Sequence, residues 1–253
     1  KEYISLLPAN ANPYDSYGDF LLRQGRFTES TRNYQKAIDY NPTYASSYKG
    51  LGDNYLFTKK FDLARNNYQK YYEHVINEDN KFYALALKAS VDLHQNNINA
   101  AMNMLDKYVQ LAEELDKPFY KIYGTAYKGY VLAENGKSDK ALTYYKKAMD
   151  LVDTEQLARQ MRENLRTTAY MWEFHALATS DDIEKAEILE KKCKNRLAEN
   201  GSKDQWKMYN TLCGIKEIKK KNYKQAKTHF EEAWDNPLTW YYTGVAWEKE
   251  GNE

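Results

Sequence analysis

The sequence predicts an all-α array of antiparallel helix pairs stacked as an α-solenoid, and three observations carry that prediction. A small residue followed four places on by an aromatic or large apolar one, and usually seven places on by Ala or Tyr, recurs down the chain. The series is Ser30/Tyr34/Ala37, Ala64/Tyr68/Tyr71, Ala101/Leu105/Tyr108, Ala141/Tyr145/Ala148, Ala186/Glu190/Cys193 and Ala226/Phe230/Ala233, with Glu190 the exception. Gly18 and Gly52, Tyr14 and Tyr48, and Pro8 and Pro42 are each 34 residues apart. Apolar residues between these markers fall at helical spacing. A period of this length marks supersecondary units that cannot bury their apolar faces alone.

Each unit needs two helices in close contact, which requires small side chains at the crossing and large ones around it. Residues 1–9 read as the tail of a preceding second helix, with Tyr3 and Pro8 one period before Ala37 and Pro42. Residues 10–76 hold two well-matched units. In the first, Tyr14, Tyr17, Gly18 and Leu21 share one helix face, Gly25 allows the turn, and Ser30, Tyr34 and Ala37 mark the second helix, which Pro42 ends. Tyr48, Leu51, Gly52 and Tyr55 repeat the first helix, and Phe61, Ala64, Tyr68 and Tyr71 the second. Residues 77–118 form a degenerate unit. Residues 119–153 are a clear copy, with Gly129, Leu132 and Gly136 before Ala141, Tyr145 and Ala148. Residues 154–200 form a long degenerate unit with no marker glycine between Thr154 and Leu177. Residues 201–237 contain Tyr223, Ala226, Phe230 and Ala233 and are closed by Pro237; residues 238–253 begin a further first helix with Trp240, Gly244 and Trp247. The aromatic face of this last segment, uncovered by a second helix, reads as part of a longer polypeptide.

These positions resemble the tetratricopeptide repeat pattern, in which an aromatic, a large residue, Gly and Tyr mark the first helix and Ala, an aromatic and Pro the second. The resemblance implies a right-handed superhelix whose first helices line a concave groove. The markers from Ser30 to Ala226 are spaced by 34, 37, 40, 45 and 40 residues, so later units carry longer helices or loops.

A mean hydropathy of −0.88 with 29% charged residues, and no apolar run near the roughly 20 residues that span a bilayer, exclude a transmembrane helix from this region. With 37 Lys and Arg against 36 Asp and Glu, the net charge of +1 makes no case for nucleic acid. Between Ile183 and Phe230, 13 basic residues face 6 acidic ones, including Lys219, Lys220, Lys221, Lys224 and Lys227; this run reads as a solvated helix end and turn. Cys193 and Cys213 form no CxxC pair and read as buried thiols, which leaves cytoplasmic and exported locations equally open.

No catalytic constellation emerges. His74, His94, His175 and His229 lie far apart and lack partners at metal-binding spacing. Gly136, Lys137 and Ser138 end like a phosphate loop, but Val131 stands where the upstream Gly belongs. Adjacent Glu113 and Glu114 diverge on a helix, and Asn200, Gly201 and Ser202 form a glycosylation triplet. The sequence calls for no cofactor and no metal.

The resemblance places groove-facing residues at the second, fifth, ninth and twelfth positions of each unit. These are Asp15 and Asp19; Lys49 and Asp53; Tyr83 and Ser90; Tyr123, Ala126 and Tyr130; and Tyr241 and Val245. Lys49, Asp53, Tyr83, Tyr123 and Tyr130 are the candidate peptide-binding residues, with the alternative that Tyr83 and Tyr123 pack between units. Tyr offers large contact area with few rotors and a hydroxyl for backbone groups. Asp15 and Asp19 sit where carboxylate-clamping relatives carry Lys and Asn, so that chemistry is disfavoured. The expected function is a non-catalytic scaffold or adaptor holding a protein segment; the rival is a regulatory or recruiting arm of a larger enzyme or transcriptional regulator.

Overall fold

A computed structural model describes residues 2–233 and 237–251, apart from the side chains of Glu2 and Pro237. Lys1 and Trp234, both within segments considered above, lie outside the described residues. The chain divides into two compact units, residues 1–111 and 112–253.

The first unit contains α1 (Glu2–Leu6), α2 (Ala11–Arg23), α3 (Phe27–Tyr40), α4 (Ala45–Phe57), α5 (Phe61–His74), α6 (Glu78–His94) and most of α7 (Ile98–Glu114). The second unit contains α8 (Pro118–Glu134), α9 (Ser138–Thr154), α10 (Arg159–Ala178), α11 (Ile183–Asn200), α12 (Lys203–Lys219), α13 (Tyr223–Glu231) and α14 (Pro237–Glu250). Within each unit the helices pair with their neighbours: α2 with α3, α4 with α5, α8 with α9, α10 with α11 and α12 with α13. First helices also contact the next first helix, as α8 does α10 and α10 does α12. This is the predicted all-α stack of antiparallel helix pairs, in which local and next-neighbour contacts build the core.

One device recurs at the crossings. A Cβ added to Gly18 would lie 2.7 Å from the Tyr34 ring, and at Gly52, Gly129 and Gly214 it would lie 2.4, 2.6 and 2.3 Å from Tyr68, Tyr145 and Phe230. The marker glycine is thus the seat of the aromatic sixteen residues later, and Tyr34 and Tyr68 have no exposed surface. Gly50 on α4 also presses on Tyr34, so this ring meets glycines of two consecutive pairs. The buried Ser30 hydroxyl donates to the Gly18 carbonyl at 2.7 Å and accepts from Asn54 at 2.9 Å, which explains a Ser where other units have Ala.

The degenerate pairs solve the same volume problem differently. Leu105 and Ala89 take the aromatic and glycine positions of α7 and α6, and both are fully buried. In α10 the glycine position is Phe174, also fully buried, and its α11 counterpart is Glu190. The large residue has moved to the first helix, so the second has no need of one at this position. The turns show a related regularity: Gly25, Lys59, Asn96, Gly136 and Lys221, each seven residues after a crossing position, all have φ between +56° and +69°. Pro237 differs from its expected role. Helix α13 already ends at Glu231, and Pro237 is the first residue of α14, where its missing N–H costs no intrahelical bond.

Candidate functional site

In the first unit the predicted groove positions form a polar chain that begins in the core. The buried Tyr68 hydroxyl donates to Asp53 Oδ1 at 2.8 Å, Lys49 Nζ reaches Asp53 Oδ2 at 2.6 Å, and the same ammonium lies 6.0 Å from the centre of the Tyr83 ring. Burial alone would lower the Lys49 pKa, but Asp53 outweighs it and the value is raised. Tyr83 is 47% exposed and meets Tyr71 edge-on. One pair earlier, the Tyr34 hydroxyl donates to Asp19 Oδ1 at 2.6 Å, and Ser47 donates to buried Asp15 at 2.6 Å. Burial raises the Asp15 pKa to about 6, the Ser47 hydroxyl opposing and Asp19 adding to the rise. Asp19 and Asp53 each follow a crossing glycine and lie fifteen residues before the tyrosine they hold. That constant spacing is a signal in the sequence for their role as acceptors, and the sequence reading did not use it.

In the second unit, Tyr123 lines an open cleft of about 580 Å³. Phe119 on α8, Met161, Leu165 and Met171 on α10 and Met208 on α12 form its apolar wall. Asn164, Thr168 and Gln205 give it a polar edge, which the Gln205 amide closes by donating to the Asn164 carbonyl and the Thr168 hydroxyl, both at 3.1 Å. Tyr123 is 37% exposed and leans on Phe119, with ring centroids 4.6 Å apart, and edge-on on Trp172. Sequence reading missed Phe119, Met161 and Met208. Thr168 and Met208 stand six residues before Phe174 and Gly214, as Tyr123 stands six before Gly129, so alignment on the crossing residue would have found Met208 but not Phe119 or Met161.

Tyr130 sits elsewhere. Its ring stacks on His175 at 4.7 Å between centroids, within a buried polar cluster. His175 Nδ1 is 2.9 Å from the Tyr145 hydroxyl and Nε2 2.7 Å from Glu134 Oε1, while the Tyr242 hydroxyl on α14 donates to Glu134 Oε2 at 3.0 Å. Here Tyr130 occupies the place that Asp19 and Asp53 hold in the other pairs, so Tyr145 turns to an imidazole instead. A phenol, an imidazole and a carboxylate stand in line, the order of an activated nucleophile. Burial nevertheless pushes the Tyr145 pKa well up, and the ring is 2% exposed, so neither a phenolate nor a substrate is accommodated. Tyr145 and His175 serve packing, and Tyr130 lies half-buried at the edge of the cluster.

The remaining chemistry-bearing residues are likewise engaged. Cys193 and Cys213 are buried and unpaired, and burial raises the Cys193 thiol to about 12, far from thiolate reactivity. Lys219, Lys220 and Lys227 of the basic run pair with Asp181, Glu187 and Glu250. Among the described residues no group of three or more His, Cys, Asp or Glu side chains is placed to hold a metal ion, and no helix is long and apolar enough to cross a membrane.

Two family models match the chain, one described as TPR repeat over residues 18–56 and one as tetratricopeptide repeat over residues 128–151. No curated protein matches. Among solved structures, the chain is similar to a tetratricopeptide repeat protein from Parabacteroides merdae ATCC 43184, with TM-score 0.60 and 14% identity over 96% of this chain and 88% of that one. It is also similar to aspartyl phosphate phosphatase F from Bacillus subtilis, with TM-score 0.60 and 13% identity over 92% and 68%. A third likeness is to the APC/C hetero-tetramer Cut9–Hcn1, with TM-score 0.52 and 15% identity over 97% of this chain but 44% of that one, so the chain spans less than half of it. Identities this low show the shared fold.

Proposed function

We propose, on the tetratricopeptide repeats matched over residues 18–56 and 128–151, that the chain is a non-catalytic scaffold or adaptor whose partner is a protein or peptide segment. The observation that carries this reading is the open cleft beside Tyr123. Its size lies within the roughly 300–1,000 Å³ of ordinary ligand sites. Its wall combines aromatic rings with three methionines, whose unbranched side chains repack around varied apolar groups. Its edge carries amide and hydroxyl groups, and the backbone of a bound segment would take over the bonds that Gln205 makes to Asn164 and Thr168. Tyr130, beyond the cleft in the same unit, and Lys49, Asp53 and Tyr83, on the first unit, are the further candidate contacts. Tyr83 contributes exposed aromatic area and Lys49–Asp53 a charged pair within reach of polar side chains. No step of this function needs a cofactor, a metal or a nucleophile.

The test is affinity capture with the full chain and with a Tyr123→Ala/Met208→Asp variant whose circular dichroism matches wild type. A partner held by the wild type should bind the variant at least about 10-fold more weakly, since each anchor residue removed from such a contact costs on the order of 1–2 kcal/mol. Equal retention by both proteins would remove the cleft from the function.

A further inference from the structure

The apolar cleft at Tyr123 has a polar neighbour. Gln160 and Asn164 line both it and a second cleft of about 450 Å³, whose other walls come from α10 and α11. Turning around α10, Met161 and Leu165 of the apolar wall give way to Asn164 and Gln160, and these to Glu163 and Arg159, because residues four apart stack in rows along a helix. Arg196 and Asn200, one turn apart on α11, face them across the second cleft.

Two guanidiniums in this second cleft have bonding capacity to spare. The Arg159 side chain is exposed and makes no ion pair or hydrogen bond among the described residues. Arg196 is held by Glu163 at 2.8 Å and Glu199 at 3.4 Å, yet its buried Nε–H meets no acceptor among them. A buried donor without an acceptor is costly, so a ligand that supplies one is favoured. Glu163 does not oppose an anion strongly: Arg196 and Arg166 bond its two oxygens, and they hold its pKa below the usual carboxylate range. Two guanidiniums against one carboxylate leave the lining with one net positive charge, which matches a single carboxylate better than a doubly charged phosphate. Helix α10 has no acidic residue in its first turn, so its positive end adds to that sign.

Building on the apolar cleft as the binding site, we infer that the bound segment carries an Asp or Glu carboxylate beside its apolar anchor. The anchor fills the cleft at Tyr123, and the carboxylate crosses the amide row to reach Arg159 and the Arg196 Nε–H. The partner is thus an acidic as well as apolar protein segment, and Arg159 is the residue that sets this specificity. The two arginines contribute differently. Arg196 is fixed in place by Glu163 and loses little freedom on binding, whereas Arg159 forms its ion pair with the ligand alone.

The test selects binders to the full chain from a random dodecamer peptide library, then compares a selected peptide with its acid-to-amide twin by fluorescence anisotropy. Selected peptides should place Asp or Glu within a few residues of Leu, Met, Phe or Trp. The twin should bind wild type at least about 5-fold more weakly, as fits a partly exposed charge-assisted contact. Arg159→Gln alters an exposed side chain without bonds, so it should keep wild-type circular dichroism and bind both peptides alike. Twins that bind wild type equally, yet lose affinity for the Tyr123→Ala/Met208→Asp variant, overturn the acidic requirement and leave the apolar cleft in place. An acid preference that survives Arg159→Gln also overturns the assignment. A library that yields no peptide sensitive to Tyr123→Ala/Met208→Asp removes the apolar cleft from the function, and the acidic contact falls with it.

Discussion

The α4/α5 crossing and the α10/α11 crossing occupy the same place in their respective pairs and reach opposite solutions. In the first, Gly52 on the first helix makes room for Tyr68 on the second. In the second, Phe174 fills the space from the first helix, and Glu190 on the second turns away. Freed from packing, Glu190 receives buried Lys216 at 2.5 Å and, more weakly, the Cys213 thiol at 3.4 Å. Lys216 also meets Glu217 at 2.9 Å. What the crossing fixes is total volume, and which helix supplies it is negotiable. The choice then decides what else the second helix can do: Tyr68 sends its hydroxyl to Asp53 on α4, whereas Glu190 ties α11 to α12.

The largest predicted effect breaks the α10/α11 solution. Phe174→Gly should destabilise by about 3–5 kcal/mol by opening a cavity, measured by urea unfolding. Adding Glu190→Tyr should return part of that loss by recreating the α4/α5 arrangement, with a coupling of about 1–3 kcal/mol in the double-mutant cycle. Additive effects would show that the two residues do not share one space. Breaking the regular crossing comes next. Gly52→Leu drives bulk into the Tyr68 ring and should cost about 3 kcal/mol; an unchanged urea midpoint would discard the crossing rule.

A smaller effect sharpens the contrast in buried charge. Lys216 lies between carboxylates, whereas Asp15 is buried with a hydroxyl and has Asp19 nearby. Its folded pKa of about 6 exceeds the ordinary value near 3.9, so between those limits the folded state holds a proton that the unfolded state has lost. Stability contributed by this group is therefore full below about pH 4, falls as pH rises to about 6, and stays reduced above. Asp15→Asn should flatten that slope and stabilise the protein by about 1 kcal/mol at pH 7. Urea midpoints between pH 4 and 7 decide it. The smallest effect lies in the turns. Lys59 and Lys221 hold left-handed backbone where Gly25 and Gly136 do so without strain, so Lys59→Gly or Lys221→Gly should each raise stability by about 0.5–1 kcal/mol. A loss in both would show that the lysine side chains matter more than backbone strain.

Legibility in the sequence followed the same divide. The pairs built on Gly18, Gly52 and Gly129 announce themselves through a glycine and an aromatic at fixed separation, whereas Gly214, sixteen residues before Phe230, is not picked out. The α10/α11 pair is obscure because exchanging large and small residues erases both markers while conserving the packing. For the candidate groove, the resemblance singled out Lys49, Asp53 and Tyr123 but not the partners of those residues. The link from Tyr242 to Glu134 spans 108 residues and follows no repeat spacing. The methionine wall around Tyr123 comes from first helices whose register is hidden until Phe174 is recognised as the substitute for glycine.

The bond from Tyr68 to Asp53 has a consequence for how such a protein changes over generations. A Tyr68→Phe replacement, one oxygen atom smaller, leaves the ring seated on Gly52 yet returns a free acceptor to Asp53, beside Lys49. Variation hidden in the interior can thus rewrite the chemistry that Asp53 and Lys49 present outward while every exposed residue stays the same.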